Sequence, residues 1–477
     1  MKKFSPTRRR FLKKGLVAAG AASSPLILSG LSSCTRIGRD PALINGYGSL
    51  RPVADLRTGL ELLSLPEGFL YTSLVWTGEP MGDGISSPGN PDGMGVVRED
   101  GNLITMVRNH EMGGSSGALG NSEHAYDNTG GGASTLVFDR NRALLADSWL
   151  SLSGTTENCA GGVTPWGTWL SCEEEAYSPV VAAEHSVKSA VLFPGLDNAQ
   201  KEHGFVFEVP AEGVARPEPI RAMGQFCHEA AAFDLETGIV YMTEDKNPHA
   251  GFYRFIPNEN GNLHAGGRLQ MMKVTGYTSL AGAVPADEVF KVSWVDIQNP
   301  EQGHTPGSFD SQGVVNQGLA QGATFFRRLE GCCYHKGQIV FTAKNGGAAK
   351  AGQIFTFDPV ASQLRLVYES KHHRHISGPD NIIFSPRENL VVCEDQEGGS
   401  SRSQRLLGFT EAAEYFSLAS INEAARGKFG GHKIDNTFRT SEWCGVCFST
   451  DGEWLFANIQ KPGITVAITG PWQPHLA

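Results

Sequence analysis

From about residue 90 onward, one pattern of apolar and polar residues recurs six times along the chain. Each copy starts at an acidic or cysteine residue, passes through small or apolar residues to an apolar or aromatic one, and turns at Gly or Asn. A β-rich run ending in polar residues then follows. The copies begin at Asp92, Cys159, Glu229, Glu330, Asp380 and Cys444. Their second runs end at Arg108-Asn109-His110-Glu111, Cys172-Glu173-Glu174, Thr243-Glu244-Asp245, Ala343-Lys344-Asn345, Cys393-Glu394-Asp395 and Ala457-Asn458.

Within each copy two strands are expected to join through a turn such as Glu99-Asp100-Gly101-Asn102, Glu236-Thr237-Gly238 or Thr450-Asp451-Gly452-Glu453. Gly and Asn tolerate the positive φ that tight hairpins require. Further strand-like runs separate the copies, among them Ser134 to Asp139, Gly204 to Val209, Gly251 to Ile256 and Gln353 to Asp358. Six units of about four strands each predict an all-β fold, a six-bladed β-propeller with inserted loops, spanning residues 61–477 as one domain.

The N-terminus reads differently. Thr7-Arg8-Arg9-Arg10-Phe11-Leu12-Lys13 precedes a mildly apolar Gly/Ala-rich stretch, the layout of a twin-arginine export signal over residues 1–33. Leu31-Ser32-Ser33-Cys34 resembles a lipobox, so Cys34 is the expected lipidation site and a lipid anchor the expected membrane contact. Residues 34–60 read as a linker. The twin-arginine translocase is then a partner, and the expected destination is the periplasm or the extracellular space.

The chain holds 40 basic and 50 acidic residues, and removal of the seven basic residues in 1–33 takes its formal charge from −10 to −17. Such a surface repels nucleic acid and anionic substrates alike, so an anionic substrate calls for bound cations. Composition otherwise describes a globular, turn-rich body: 19% charged residues and 58 glycines without a collagen period.

The column that opens the copies consists of metal-ligand residue types throughout, although Asp, Glu and Cys make up 59 of 477 residues. Propeller symmetry would place these positions around one axis. Glu111, Glu173, Glu174, Glu244, Asp245, Glu394 and Asp395 add the oxygen ligands that hard cations such as Ca²⁺ prefer. The Cys159 thiolate suits a softer metal beside them. Arg328, two residues before Glu330, can grip a phosphate or carboxylate through two donors, or pair with a neighbouring ligand. His110 and His228 abut the columns. The cluster His372, His373 and His375 reads as solvated, and Cys172, Cys227, Cys332, Cys333 and Cys393 as buried small hydrophobes. The pair Cys444-Gly445-Val446-Cys447 lies in a strand pattern, which argues against a thioredoxin-like motif.

The segment Asn158-Cys159-Ala160-Gly161-Gly162, running through Thr164-Pro165-Trp166-Gly167-Thr168-Trp169 to Cys172-Glu173-Glu174, resembles the signature of PhoX-type alkaline phosphatases. Asn109-His110-Glu111, His228-Glu229-Ala230, Arg328-Leu329-Glu330-Gly331, Gly378-Pro379-Asp380-Asn381 and Cys393-Glu394-Asp395 resemble further motifs of that family, in order along the chain. The resemblance implies an exported, monomeric propeller phosphatase with iron, as Fe³⁺, and Ca²⁺. Carried over, Cys159 ligates iron, Glu229 and Glu330 bridge or flank the metals, and Arg328 holds the phosphate. These four form the catalytic set, and Glu111, Glu173, Glu174, Glu244, Asp245, Asp380, Glu394 and Asp395 share the calcium shell. The implied reaction is hydrolysis of small phosphomonoesters with release of phosphate.

The chain is shorter than the best-known members of that family, and a lipid anchor is not general among them. Two other readings fit a metal-bearing propeller: a calcium-dependent lactonase or esterase, and a non-catalytic propeller displayed at the surface. The Cys159 thiol argues against the first.

Overall fold

A computed structural model describes residues 43–477 apart from 114–116, 186–195, 197–198, 287, 397–401, 411–413, 475 and 477. The export signal and Cys34 lie outside the described residues.

The first blade contains Pro91–Asp100, Leu103–His110, Gly131–Asp139 and Leu144–Thr155, antiparallel in chain order. The second contains Asn158–Val163, Thr168–Glu173 and Val206–Pro210. His228–Phe233, Val240–Glu244, Phe252–Pro257 and Gly267–Val274 form the third. Leu329–His335, Gln338–Ala343, Gln353–Asp358 and Gln363–Glu369 form the fourth. The fifth runs through Pro379–Phe384, Leu390–Glu394, Arg405–Phe409 and Tyr415–Ile421. In the sixth, Trp443–Phe448, Leu455–Ile459 and Ile464–Thr469 take their outermost strand, Leu70–Trp76, from the start of the domain. This last pairing closes the ring by hydrogen bonds between the two ends of the chain.

The innermost strands of the six units touch one another in cyclic order, the sixth against the first. The six units form five hydrogen-bonded sheets and not the six separate ones expected. Phe290–Asp296 pairs with Gly267–Val274 and, over two residues, with Gln363–Glu369, merging the third and fourth units into one nine-stranded sheet. The fifth sheet likewise gains two short strands, Leu63–Leu65 and Arg51–Val53, so part of the segment read as a linker belongs to the sheet. The runs proposed as additional strands are the third strands of the first four units.

Apolar side chains fill the wedges between sheets. Phe252 stacks on Phe341 with ring centroids 4.2 Å apart between the third and fourth units, and Phe138 meets Phe456 edge-on at 5.2 Å between the first and sixth. Burial of this kind contributes roughly 25 cal/mol per Å² of apolar surface removed from water.

Candidate metal centre

Every innermost strand carries a register shift near its start, between Pro91 and Met94, Asn158 and Gly161, His228 and Ala231, Leu329 and Cys332, Pro379 and Ile382, and Cys444 and Cys447. A β-bulge re-aims a side chain without ending the strand. Here the bulges sit at or beside Asp92, Cys159, Glu229, Glu330, Asp380 and Cys444, and all six line one cavity of about 390 Å³. The residue after the ligand is Gly or Ala in every unit but the fifth, which has Asn381, and at the glycines the next inner strand crowds the position. A Cβ on Gly93 would lie 2.5 Å from Ala160 Cα, and one on Gly331 would lie 2.6 Å from the Asp380 carbonyl.

A second circle comes from the neighbouring strands: Glu111, Glu174, Asp245, Lys344, Asp395 and Gln460 also line the cavity. Each amide N–H donates to the carbonyl of the residue two before that unit's ligand, namely Asn90, Glu157, Cys227, Arg328, Gly378 and Glu442. Four of this third set hold positive φ: Asn90 (41°), Glu157 (44°), Arg328 (46°) and Gly378 (58°). Non-glycine residues rarely adopt that region, and strain of this sort gathers at functional sites. Asn90, Glu157, Arg328 and Glu442 point into the same cavity.

Glu173, Glu244 and Glu394 do not line the cavity, in correction of their expected place in the metal shell. They precede the cavity residues by one, and alternation along a strand turns them into the blades. Glu173 accepts from Thr156 N (3.0 Å), Gly204 N (2.8 Å), Phe205 N (3.1 Å) and His203 Nδ1 (2.7 Å). Glu244 accepts from Gly251 N and the Tyr253 hydroxyl, at 2.7 and 2.8 Å. Glu394 is gripped by Arg402 and Arg405 at 2.7 to 2.9 Å. Despite burial, those arginines hold its carboxyl below the usual range.

Asn90, Glu157, Lys344, Glu442, Gln460 and Lys461 join the expected residues at the cavity. The position two before the ligand, which singled out Arg328, would also have found Asn90, Glu157 and Glu442. Gln460 lies two residues beyond the expected end of the sixth copy, directly after Ile459, the partner of Trp443. His372 and His373 are exposed, and neither they nor His375 reach the cavity. All eight described cysteines are buried and free.

The cavity carries ten carboxylates against Arg328, Lys344 and Lys461. Burial, then Asp380, raises Asp92 to about 7. Burial likewise lifts Glu111, Glu174, Glu229, Glu330 and Glu442 well above the carboxylate range, each reinforced by acidic neighbours. Asp245 stays low against burial because Arg328 binds it through Nε (2.8 Å) and Nη2 (2.6 Å). Burial and Glu229 push the Cys159 thiol up. Groups crowded in this way hold protons or metal cations.

Among the described residues, three sets of ligand atoms converge to within 4.8 Å of one another: Cys159, Glu174 and Glu229; Glu229, Glu330 and Asp380; and Asp92, Glu442 and Cys444. Glu229 is shared by the first two. Glu330 Oε1 is buried without a hydrogen bond, 3.6 Å from both Arg328 Nη2 and Lys344 Nζ. The donors therefore fit metal ions, hard ones at the all-carboxylate set and softer ones where a thiol joins.

The family model for alkaline phosphatase PhoX matches residues 45–463, nearly the whole chain. The chain belongs to the PhoX alkaline phosphatase family. No curated protein matches it. Among solved structures, a gluconolactonase from Xanthomonas campestris is similar at 12% identity and a TM-score of 0.37, covering 91% of this chain and 97% of its own. A putative gluconolactonase is similar at 8% identity and a TM-score of 0.40, covering 88% and 98%. In this PhoX family member, the whole first column and Glu111, Glu174, Asp245 and Asp395 of the second face the same cavity. No helix among the described residues is long and apolar enough to cross a membrane.

Proposed function

We propose that this protein is a metal-dependent phosphomonoester hydrolase acting outside the cytoplasm. The observation that supports this reading most is the convergence of all six units, each through two circles of side chains, on a single carboxylate- and thiol-lined cavity. Cys159, Glu174 and Glu229 would hold iron, as Fe³⁺. Glu229, Glu330 and Asp380 would hold Ca²⁺, with Glu111 and Asp245 beside them.

When bound, these metals would supply Lewis-acid polarisation of the phosphoryl oxygens and offset the charge of the cavity. Arg328 orients the phosphate. Its guanidinium, fixed by Asp245, is set at the cavity before substrate arrives and stabilises charge on the equatorial oxygens. Asp245 in turn keeps the guanidinium from collapsing fully onto Glu330, which stays 3.6 Å away. A cavity of about 390 Å³ suits small phosphoesters. Export by the twin-arginine route, a lipid anchor at Cys34 and a monomeric state complete the reading, the first two carried by the sequence of residues 1–34 alone.

The test is p-nitrophenyl phosphate hydrolysis by metal-loaded wild type and by Cys159→Ala, with a lactone as the competing substrate. Loss of phosphatase turnover together with iron in the variant supports the proposal. Full turnover in Cys159→Ala would remove the iron assignment, and turnover of the lactone alone would replace the phosphatase reading.

A further inference from the structure

The ring breaks its own pattern at one place. Four of the six second-circle residues are carboxylates and one is Gln460, but the fourth unit supplies Lys344. This side chain is 5% exposed, and its ammonium lies 3.1 Å from Asp380 Oδ2, 3.6 Å from Glu330 Oε1 and in contact with Asp395.

The symmetry of the repeat gives this position a meaning. The set Cys159, Glu174 and Glu229 combines a unit's ligand, the same unit's second-circle residue and the next unit's ligand. Two units further round, the corresponding residues are Glu330, Lys344 and Asp380. In the first set, three metal-ligand side chains converge on a common point. In the second, the middle residue brings an ammonium to the other two. A lysine ammonium has three donors and no acceptor, so it can serve three carboxylates as a cation does and cannot ligate one.

We propose that Lys344 is a built-in cation that takes the place of a metal ion among Glu330, Asp380 and Asp395. The ring thereby binds one divalent cation fewer than its symmetry allows. Lys344 and Arg328 then flank Glu330 from two sides, giving the cavity a permanently positive flank in the fourth unit. Lys344 acts as a positioning residue, fixing where metals and hence the phosphate sit. This inference rests on the metal-binding reading of the cavity.

The experiment counts metal per chain by elemental analysis after reconstitution with iron and Ca²⁺, in wild type, Lys344→Arg and Lys344→Glu. The expected result is an equal count in wild type and Lys344→Arg, and one additional Ca²⁺ in Lys344→Glu. A folded Lys344→Glu with the wild-type count would overturn the inference while leaving the metal centre intact. Wild type devoid of metal would instead remove the reading beneath it. Should Lys344→Glu not fold, anomalous scattering from metal-loaded wild-type crystals decides: no metal touching both Asp380 and Asp395 sustains the inference, and a metal there overturns it.

Discussion

Thr243 Oγ1, in the third unit, donates a 2.6 Å hydrogen bond to the main-chain carbonyl of Glu330 in the fourth. The contact belongs to a set that crosses unit boundaries at the ligands. Asn109 Nδ2 donates to the Cys159 carbonyl at 3.0 Å, Thr342 Oγ1 to that of Asp380 at 3.0 Å, and Asn458 Nδ2 to that of Asp92 at 2.6 Å. At these four bulges the neighbouring unit satisfies the ligand's carbonyl. The ligand positions are thus fixed by the joints between units.

Thr243→Val keeps the side-chain shape and removes the donor, leaving a buried carbonyl unpaired. Stability should fall by about 1–3 kcal/mol, and metal retention should weaken although no ligand has changed. Denaturant unfolding beside elemental analysis checks both, and a variant with wild-type stability would deny the joint its role.

Adjacent residues Glu173 and Glu174 should separate cleanly. Glu173→Gln disturbs an acceptor held by His203 and three backbone amides, so it should cost about 2–3 kcal/mol of stability and leave the metal count unchanged. Glu174→Gln should keep the fold and lose iron. The reverse pattern would place the cavity on the other side of the strand.

Arg328→Ala should retain the metals, lower kcat/KM for a phosphomonoester by about 10²-fold and relieve inhibition by inorganic phosphate. Steady-state kinetics with phosphate as inhibitor reads this, and an unchanged inhibition constant would exclude Arg328 from the phosphate site.

His203 lies between Asp127 and Glu173, at 3.2 and 2.7 Å. Burial opposes its charge, but Glu173 and Asp127 outweigh it and raise its pKa to about 9. A folded-state pKa above the ordinary imidazole value contributes stability in full below about pH 6.5, and this is lost as pH rises through about 9. Wild type should therefore lose on the order of 3 kcal/mol relative to His203→Gln across that window. Unfolding curves at pH 6, 7.5 and 9 test the difference, which would be flat if His203 were neutral throughout.

The six-fold repeat and its hairpin turns made the β-propeller legible, and with it the ligands from Asp92 to Cys444, because a ring of equivalent positions has only one common axis. Choosing between Glu173 and Glu174, Glu244 and Asp245, or Glu394 and Asp395 required knowing which face of the second strand meets the axis. In each pair the residue whose amide donates to the carbonyl two residues before its unit's ligand faces the cavity, a relation no local pattern displays. Lys344 stood in the fourth copy as an exception to its column and gained significance only from the contacts around it. The merging of two sheets through Phe290–Asp296 depends on where a strand between repeats docks, which periodicity does not determine.

The central claim, that the cavity is a metal centre for phosphoester hydrolysis, is tested most directly by elemental analysis of the exported protein alongside p-nitrophenyl phosphate turnover before and after chelation. Iron and calcium bound together, with turnover abolished by the chelator and restored by both metals, is the predicted result. Turnover that survives complete removal of the metals, or a fully metallated protein inert towards phosphoesters, would contradict it.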